Sequence, residues 1–197
     1  MNENFRAKAA LLLNEVEMLR QHRDEPILVA IDGRSGVGKS TFATEIGAQL
    51  DCTLVVGDDF FAGGTEVSYG LSPKELAGIC IDRKRLREVL KELKSGCDAS
   101  YVAFDWSAFD GRLAEVETVL RAKSLLILEG AYSYHSDLRD LVDLAVLVEV
   151  PSEIRTKRLL AREGQLSEWE LQWHQAEDWY FSEVSPSSIF HHRIMNV

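Results

Sequence analysis

Residues 31–41 read Ile31-Asp32-Gly33-Arg34-Ser35-Gly36-Val37-Gly38-Lys39-Ser40-Thr41, and within them Gly33, Gly38, Lys39 and Ser40 satisfy the spacing G-x-x-x-x-G-K-[ST]. A turn of this kind cradles phosphate oxygens with backbone N–H groups, sends its lysine to the outer phosphates and offers its hydroxyl to Mg²⁺. Glycines fall where the backbone must meet the anion with no Cβ in between, and the helix that follows aims the positive end of its dipole at it. The flanks suit the motif. Ile27-Leu28-Val29-Ala30-Ile31, between Pro26 and Gly33, is an apolar run fit for a buried parallel strand, and Phe42, Ile46 and Leu50 follow at helical spacing. The candidate phosphate-binding residues are therefore Gly33, Arg34, Ser35, Gly36, Val37, Gly38, Lys39, Ser40 and Thr41.

A chain of 197 residues, 46% hydrophobic and 27% charged, reads as one soluble α/β domain over 1–197. Within it, residues 1–24 form an N-terminal helix lying on the core, with Phe5, Ala9, Leu12, Leu13, Val16 and Leu19 on one face. A net charge of −10 argues against a nucleic-acid partner, which would call for basic stripes. Cys52, Cys80 and Cys97 lack the spacing of a disulfide framework or a zinc site. No signal-peptide pattern opens the chain and no apolar run approaches the length of a membrane span, so the expectation is a cytoplasmic protein without a membrane partner. A homo-oligomer is left open.

Beyond the glycine turn the chemistry gathers after apolar runs. Thr53-Leu54-Val55-Val56-Gly57 reads as a second buried strand delivering Asp58 and Asp59 at its carboxyl end, the rim where open parallel sheets bind ligands. One of these acids could accept a proton or help hold Mg²⁺; capping a turn is the plainer alternative. Residues 62–73, with Gly63, Gly64, Gly70 and Pro73, read as a long loop, and a helix is expected from about Asp82 to Ser95. Residues 101–106 read as a third short strand, 113–120 as a hairpin arm, and Phe104, Asp105, Trp106 and Phe109 as a cluster able to stack a flat or sugar-like acceptor.

Ser124-Leu125-Leu126-Ile127-Leu128 ends in Glu129, an acid placed directly after a buried strand, which suits a role in a Mg²⁺ shell. A short helix is expected over 137–142 and a further strand over 144–150. Arg155, Arg158 and Arg162 then share a helix face at spacings of three and four, a row able to clamp a transferring phosphoryl group or simply to be solvated beside Glu153 and Glu163. Gly164 and Gln165 read as the bend of a short lid, Trp169, Trp173, Ala176 and Tyr180 as a core-packing stripe of a helix over 168–183, and 189–197 as a last strand.

These residues resemble the uridine kinase and phosphoribulokinase group of P-loop kinases, on 31–41, Asp58-Asp59-Phe60-Phe61, Leu128-Glu129-Gly130 and Arg155-x-x-Arg158-x-x-x-Arg162. The resemblance implies the P-loop containing nucleoside triphosphate hydrolase fold, a five-stranded parallel sheet flanked by helices with a short arginine-bearing lid. It implies ATP on residues 33–41 and Mg²⁺ near Ser40, Asp58 and Glu129. It also implies that Lys39, Asp58, Arg155, Arg158 and Arg162 are catalytic, with Asp58 activating the acceptor hydroxyl, and that Asp82 meets ribose hydroxyls. Asp58, Asp82, Phe104, Asp105 and Phe109 are then the acceptor-side candidates. Phe104 and Phe109 stand where uridine kinases carry a tyrosine and a histidine that read the pyrimidine, which puts uridine itself in question. The function expected is transfer of the γ-phosphoryl group of ATP to a small molecule with a free hydroxyl, a nucleoside first. The alternatives are a sugar or pantothenate-like alcohol, or an ATP-binding regulatory module.

Overall fold

The apolar run before the glycine turn is the middle of the sheet. In the computed structural model, which describes residues 3–63 and 70–197, β1 (Ile27–Asp32) is buried along its whole length. It lies between β5 (Leu125–Glu129) and β6 (Leu144–Glu149), with β2 (Thr53–Val56) and β7 (His192–Met195) on the edges, in the order β2-β5-β1-β6-β7. Every pair is parallel, so the expected five-stranded parallel sheet is what the chain forms.

A strand buried on both faces must be apolar on both, and its alternate residues feed two cores. Ile27, Val29 and Ile31 pack with Ala9, Leu12 and Val16 of α1 (Glu3–Arg20) and with Phe42 and Ile46 of α2 (Lys39–Gln49). The side chain of Phe5 lies outside the described residues. Leu28 and Ala30 point the other way. They join Leu76 of α3 (Pro73–Ile79), Leu86 and Leu90 of α4 (Arg83–Lys94), and Trp173 and Ala176 of α6 (Glu168–Trp179). Burying one large apolar side chain of this kind contributes about 1.5–3 kcal/mol, so the sheet is held from both sides. Among the described residues no helix is long and apolar enough to cross a membrane.

One local expectation holds and three change. Residues 101–106 and 113–120 form strands, β3 (Ala99–Phe104) and β4 (Leu113–Leu120), and 113–120 is the expected hairpin arm, the two pairing antiparallel apart from the main sheet with an irregularity between Val102 and Phe104. The expected loop over 62–73 runs into α3, begun by a capping box in which Ser72 and Glu75 satisfy each other's backbone N–H, while residues 64–69, Gly64 included, lie outside the described residues. The short helix expected over 137–142 is only a 3₁₀ turn, Arg139–Leu141. The helix expected to reach 183 stops at Trp179 and continues as a π-helical turn, Tyr180–Val184.

The turn after β5 carries a histidine that must stay neutral. The backbone N–H of Asp137 donates to His135 Nδ1 at 3.2 Å, and the ring stacks on Tyr180 at 5.9 Å. Protonation would set a ring N–H against the Asp137 N–H, with the Asp137 carboxylate 3.4 Å away as a partial offset. Burial first, and then Arg83, push its pKa from 6.5 down to about 4, with Asp137 opposing. A folded-state pKa below the unfolded one gives stability that is fully present above pH 6.5 and is lost as pH falls through about 4. The expected loss is on the order of 2–3 kcal/mol. Urea unfolding at pH 7 and pH 4 checks it: His135→Gln should flatten the slope, and an unchanged slope would contradict the assignment.

Candidate active site

Parallel pairing brings three strand ends to one edge of the sheet. Glu129 of β5 stands in register with Ile31 of β1 on one side and Val56 of β2 on the other. The turn after β1 and the 3₁₀ turn Gly57–Phe60 after β2 therefore meet around it. In the first turn Gly38 has φ 96°, a left-handed conformation that ends the loop and starts α2, and a Cβ there would come 2.5 Å from Asn196 Nδ2. A Cβ on Gly33 would lie 2.4 Å from the carbonyl oxygen of Val148. Packing against backbone requires glycine at Gly33, and the left-handed backbone favours it at Gly38.

Three charged groups and a hydroxyl converge where the turns meet. Lys39 is buried and donates from Nζ to the Arg34 carbonyl at 3.2 Å, and Ser40 Oγ donates to Glu129 Oε2 at 3.2 Å. Asp58 opens on the cleft with its side chain exposed there. Its pKa is raised, first by loss of solvent and then by Glu177 and Asp59, with Lys39 and Arg162 pulling it back. Glu129 is raised by burial and by Asp58, with Lys39 again opposing. One buried cation thus serves two acids that would otherwise repel each other, an arrangement that invites a further cation. Among the described residues no three His, Cys, Asp or Glu side chains gather closely enough to hold a metal by themselves. Ser40, Glu129 and Asp58 nonetheless suit Mg²⁺, which takes one or two carboxylates and fills its shell with water and substrate phosphate.

A cleft of about 900 Å³ opens over this point. Its phosphate-loop side is Ser35, Gly36, Gly38, Lys39, Ser40 and Thr41, and Asp58 lies between that side and the aromatic wall. The wall is Phe61, Trp106, Phe109, Trp169 and Trp173. Phe61 stacks on Trp106 at 4.9 Å, and Phe109 meets Trp169 edge-on at 4.9 Å. Arg158 and Arg162, from α5 (Ser152–Glu163), close a third side.

Other expected residues lie elsewhere. Gly33, Arg34 and Val37 build the loop from behind, and Arg34 turns to Asp178 at 2.6 Å and lies over the Phe181 ring. Arg155 does not face the cleft; it pairs with the buried Glu177 at 2.8 Å and donates to the Ser35 carbonyl at 2.8 Å, so it braces the loop rather than clamping a phosphoryl group. Asp82 caps α4, accepting from the Arg85 N–H at 3.1 Å. Asp105 is consumed by its own turn, accepting from the Ser107 hydroxyl and from the N–H groups of Ala108 and Ser107 at 3.1 and 3.0 Å, which holds its pKa low, the hydroxyl foremost. Phe104 is buried behind Phe61 and Phe109, so of the two phenylalanines only Phe109 reaches the cleft.

Two acids that matter escaped the sequence reading. Asp32 is wholly buried and accepts from the N–H groups of Gly33, Tyr132 and Tyr134 at 2.7, 3.0 and 2.9 Å and from the Tyr180 hydroxyl at 2.8 Å. Burial lifts its pKa to about 6 against those bonds and Lys39. The signal was available, since Asp32 follows a buried strand just as Glu129 does. Glu177 sits four residues after Trp173 on what reads as an apolar stripe, a place where a carboxylate needs a partner. Trp169 and Trp173, read as core, also line the cleft.

No protein-family model matches the sequence. It is similar to a uridine kinase of Clostridium novyi (strain NT), 28% identical over 144 residues that span 70% of this chain and 68% of the relative. A protein described as a possible uridine kinase from Bacillus stearothermophilus superposes with a TM-score of 0.67 at 17% identity, over 93% of this chain and 98% of the other. The chain has the P-loop kinase fold. A D-glycerate 3-kinase from Cryptococcus neoformans var. grubii shares this fold with a TM-score of 0.61 at 14% identity, over 96% and 89% of the two chains. In sequence the chain is similar to bacterial uridine kinases.

Proposed function

We propose that the cleft transfers the γ-phosphoryl group of ATP to a hydroxyl of a small molecule seated against the aromatic wall. The uridine kinase-like sequence and the P-loop kinase fold make the chain an ATP-dependent kinase of a small molecule. The observation that carries the proposed geometry is that one cleft runs from the phosphate loop past Asp58 to the aromatic wall. Loop N–H groups and Lys39 hold the phosphates. Asp58 orients the acceptor hydroxyl and takes its proton. Arg158 and Arg162, lining the cleft from α5, meet charge spreading over the equatorial oxygens. Ser40, Glu129 and Asp58 would hold Mg²⁺, which supplies neutralisation of the phosphates. Such catalysis is positioning and electrostatics, which groups preset around the cleft provide.

The wall bears on the acceptor. Phe61 and Phe109 offer carbon faces, and a polar base edge left unpaired there costs about 1–3 kcal/mol per group. A nucleoside remains the first reading because of the relatives, and a non-nucleoside alcohol is the second because of that wall. Thermal unfolding tests occupancy of both ends. ATP–Mg²⁺ at about 100 times its dissociation constant adds about 2.7 kcal/mol, roughly 5–10 °C for a chain of this length. A true acceptor should add a further shift when nucleotide is already bound. No shift with ATP–Mg²⁺ would overturn the reading, and a shift that no acceptor extends would favour a binding module.

A further inference from the structure

The phosphate loop is held from behind at Arg34, Ser35 and Val37, and most completely at Ser35. Glu177 Oε1 accepts from the Ser35 N–H at 2.8 Å and from the Ser35 hydroxyl at 2.6 Å, and Arg155 donates from Nε to the Ser35 carbonyl at 2.8 Å. All three polar groups of Ser35 are therefore engaged. The two clamping side chains also join each other, Arg155 Nη2 to Glu177 Oε2 at 2.8 Å, with Glu177 fully buried. The neighbouring pair repeats the arrangement, Asp178 holding Arg34 at 2.6 Å.

The clamp reaches the acceptor side as well. The indole N–H of Trp173, a ring on the cleft wall, donates to Glu177 Oε1 at 2.9 Å and to Ser35 Oγ at 3.1 Å. A buried carboxylate that accepts from a loop, a guanidinium and an indole is costly to install for packing alone, since an apolar side chain of similar volume would fill the space without the desolvation. Its geometry serves orientation. Ser35 sits midway between Gly33 and Gly38, where a tilt of its peptide would turn the neighbouring N–H groups away from a bound phosphate.

We propose that Glu177, with Arg155, is the positioning residue of the phosphate loop, fixing Ser35 so that the loop is set for nucleotide before it binds, and tying that setting to Trp173 on the acceptor wall. This rests on the reading that the loop binds ATP. Glu177 itself touches no substrate; it acts through Ser35.

The test is direct binding of ATP–Mg²⁺ by titration calorimetry, beside thermal unfolding and steady-state kinetics. Glu177→Gln keeps the shape but cannot accept from every donor, and Arg155→Lys keeps the charge but loses the fork to Ser35. Glu177→Gln should weaken ATP binding roughly ten- to a hundredfold, the range of a lost charged hydrogen bond. Arg155→Lys should weaken it severalfold while unfolding stays near the wild-type temperature, and both should raise KM for ATP more than they lower kcat. If Glu177→Gln does not fold, Arg155→Lys decides. Wild-type affinity in the folded variants, or a lower unfolding temperature with unchanged ATP binding, overturns the clamp. Failure of the wild-type protein to bind ATP overturns the underlying reading instead.

Discussion

Lys39→Ala lowers phosphoryl transfer on the order of a thousandfold and leaves the protein folded. The figure follows from removing a buried, preset charge aimed at the phosphates, where one such group is worth about 10²–10³ or more in rate. Lys39 also holds Asp58 and Glu129 toward their ionised forms, so its loss raises both carboxyls further and weakens the base as well as the phosphate grip. Its contribution to the fold is a hydrogen bond to the Arg34 carbonyl and attraction to Asp32, Asp58 and Glu129, which protonation of those acids partly offsets when it is lost. Initial rates with saturating acceptor, alongside a melting curve, check this. Near-normal rates in Lys39→Ala would remove the phosphate loop from the mechanism.

Asp32→Ala should cost stability rather than chemistry alone. Three backbone N–H groups, of Gly33, Tyr132 and Tyr134, and the Tyr180 hydroxyl lose their acceptor. Each buried donor left unmade costs about 1–3 kcal/mol, partly offset because a buried carboxylate is also removed. A net loss of roughly 3–5 kcal/mol lowers the melting temperature by about 10 °C. The same bonds hold Tyr132 at φ 69°, a backbone strained for a non-glycine residue just beyond Glu129, so the variant also frees the turn that sets Glu129. A melting temperature within a few degrees of wild type would show that the three N–H groups find other partners.

Much of this was legible before any coordinates. Buried parallel strands announce themselves as uninterrupted apolar runs, which is why Ile27–Ile31, Leu125–Leu128 and Leu144–Val148 read correctly and why the acids following two of the five strands could be named as a group. What the sequence could not supply was where a polar side chain is spent. Asp82 and Asp105 satisfy nearby backbone N–H groups, a local bond that competes with any ligand. Arg155, Arg158 and Arg162 share a face by spacing, yet Glu177 arrives from 22 residues away to take Arg155 out of the row. Helix α3 was legible in Ser72-Pro73-Lys74-Glu75, a capping box with proline in the first turn, but the nearby glycines outweighed it.

The most direct measurement is γ-phosphoryl transfer from ATP–Mg²⁺ to a panel of nucleosides, sugars and vitamin-like alcohols, run beside Asp58→Asn. At least one acceptor should be phosphorylated, and Asp58→Asn should slow that transfer by about 10²–10⁴, the worth of a positioned general base. Transfer at the wild-type rate in Asp58→Asn, or tight ATP binding with no acceptor consumed across the panel, would contradict the proposed function.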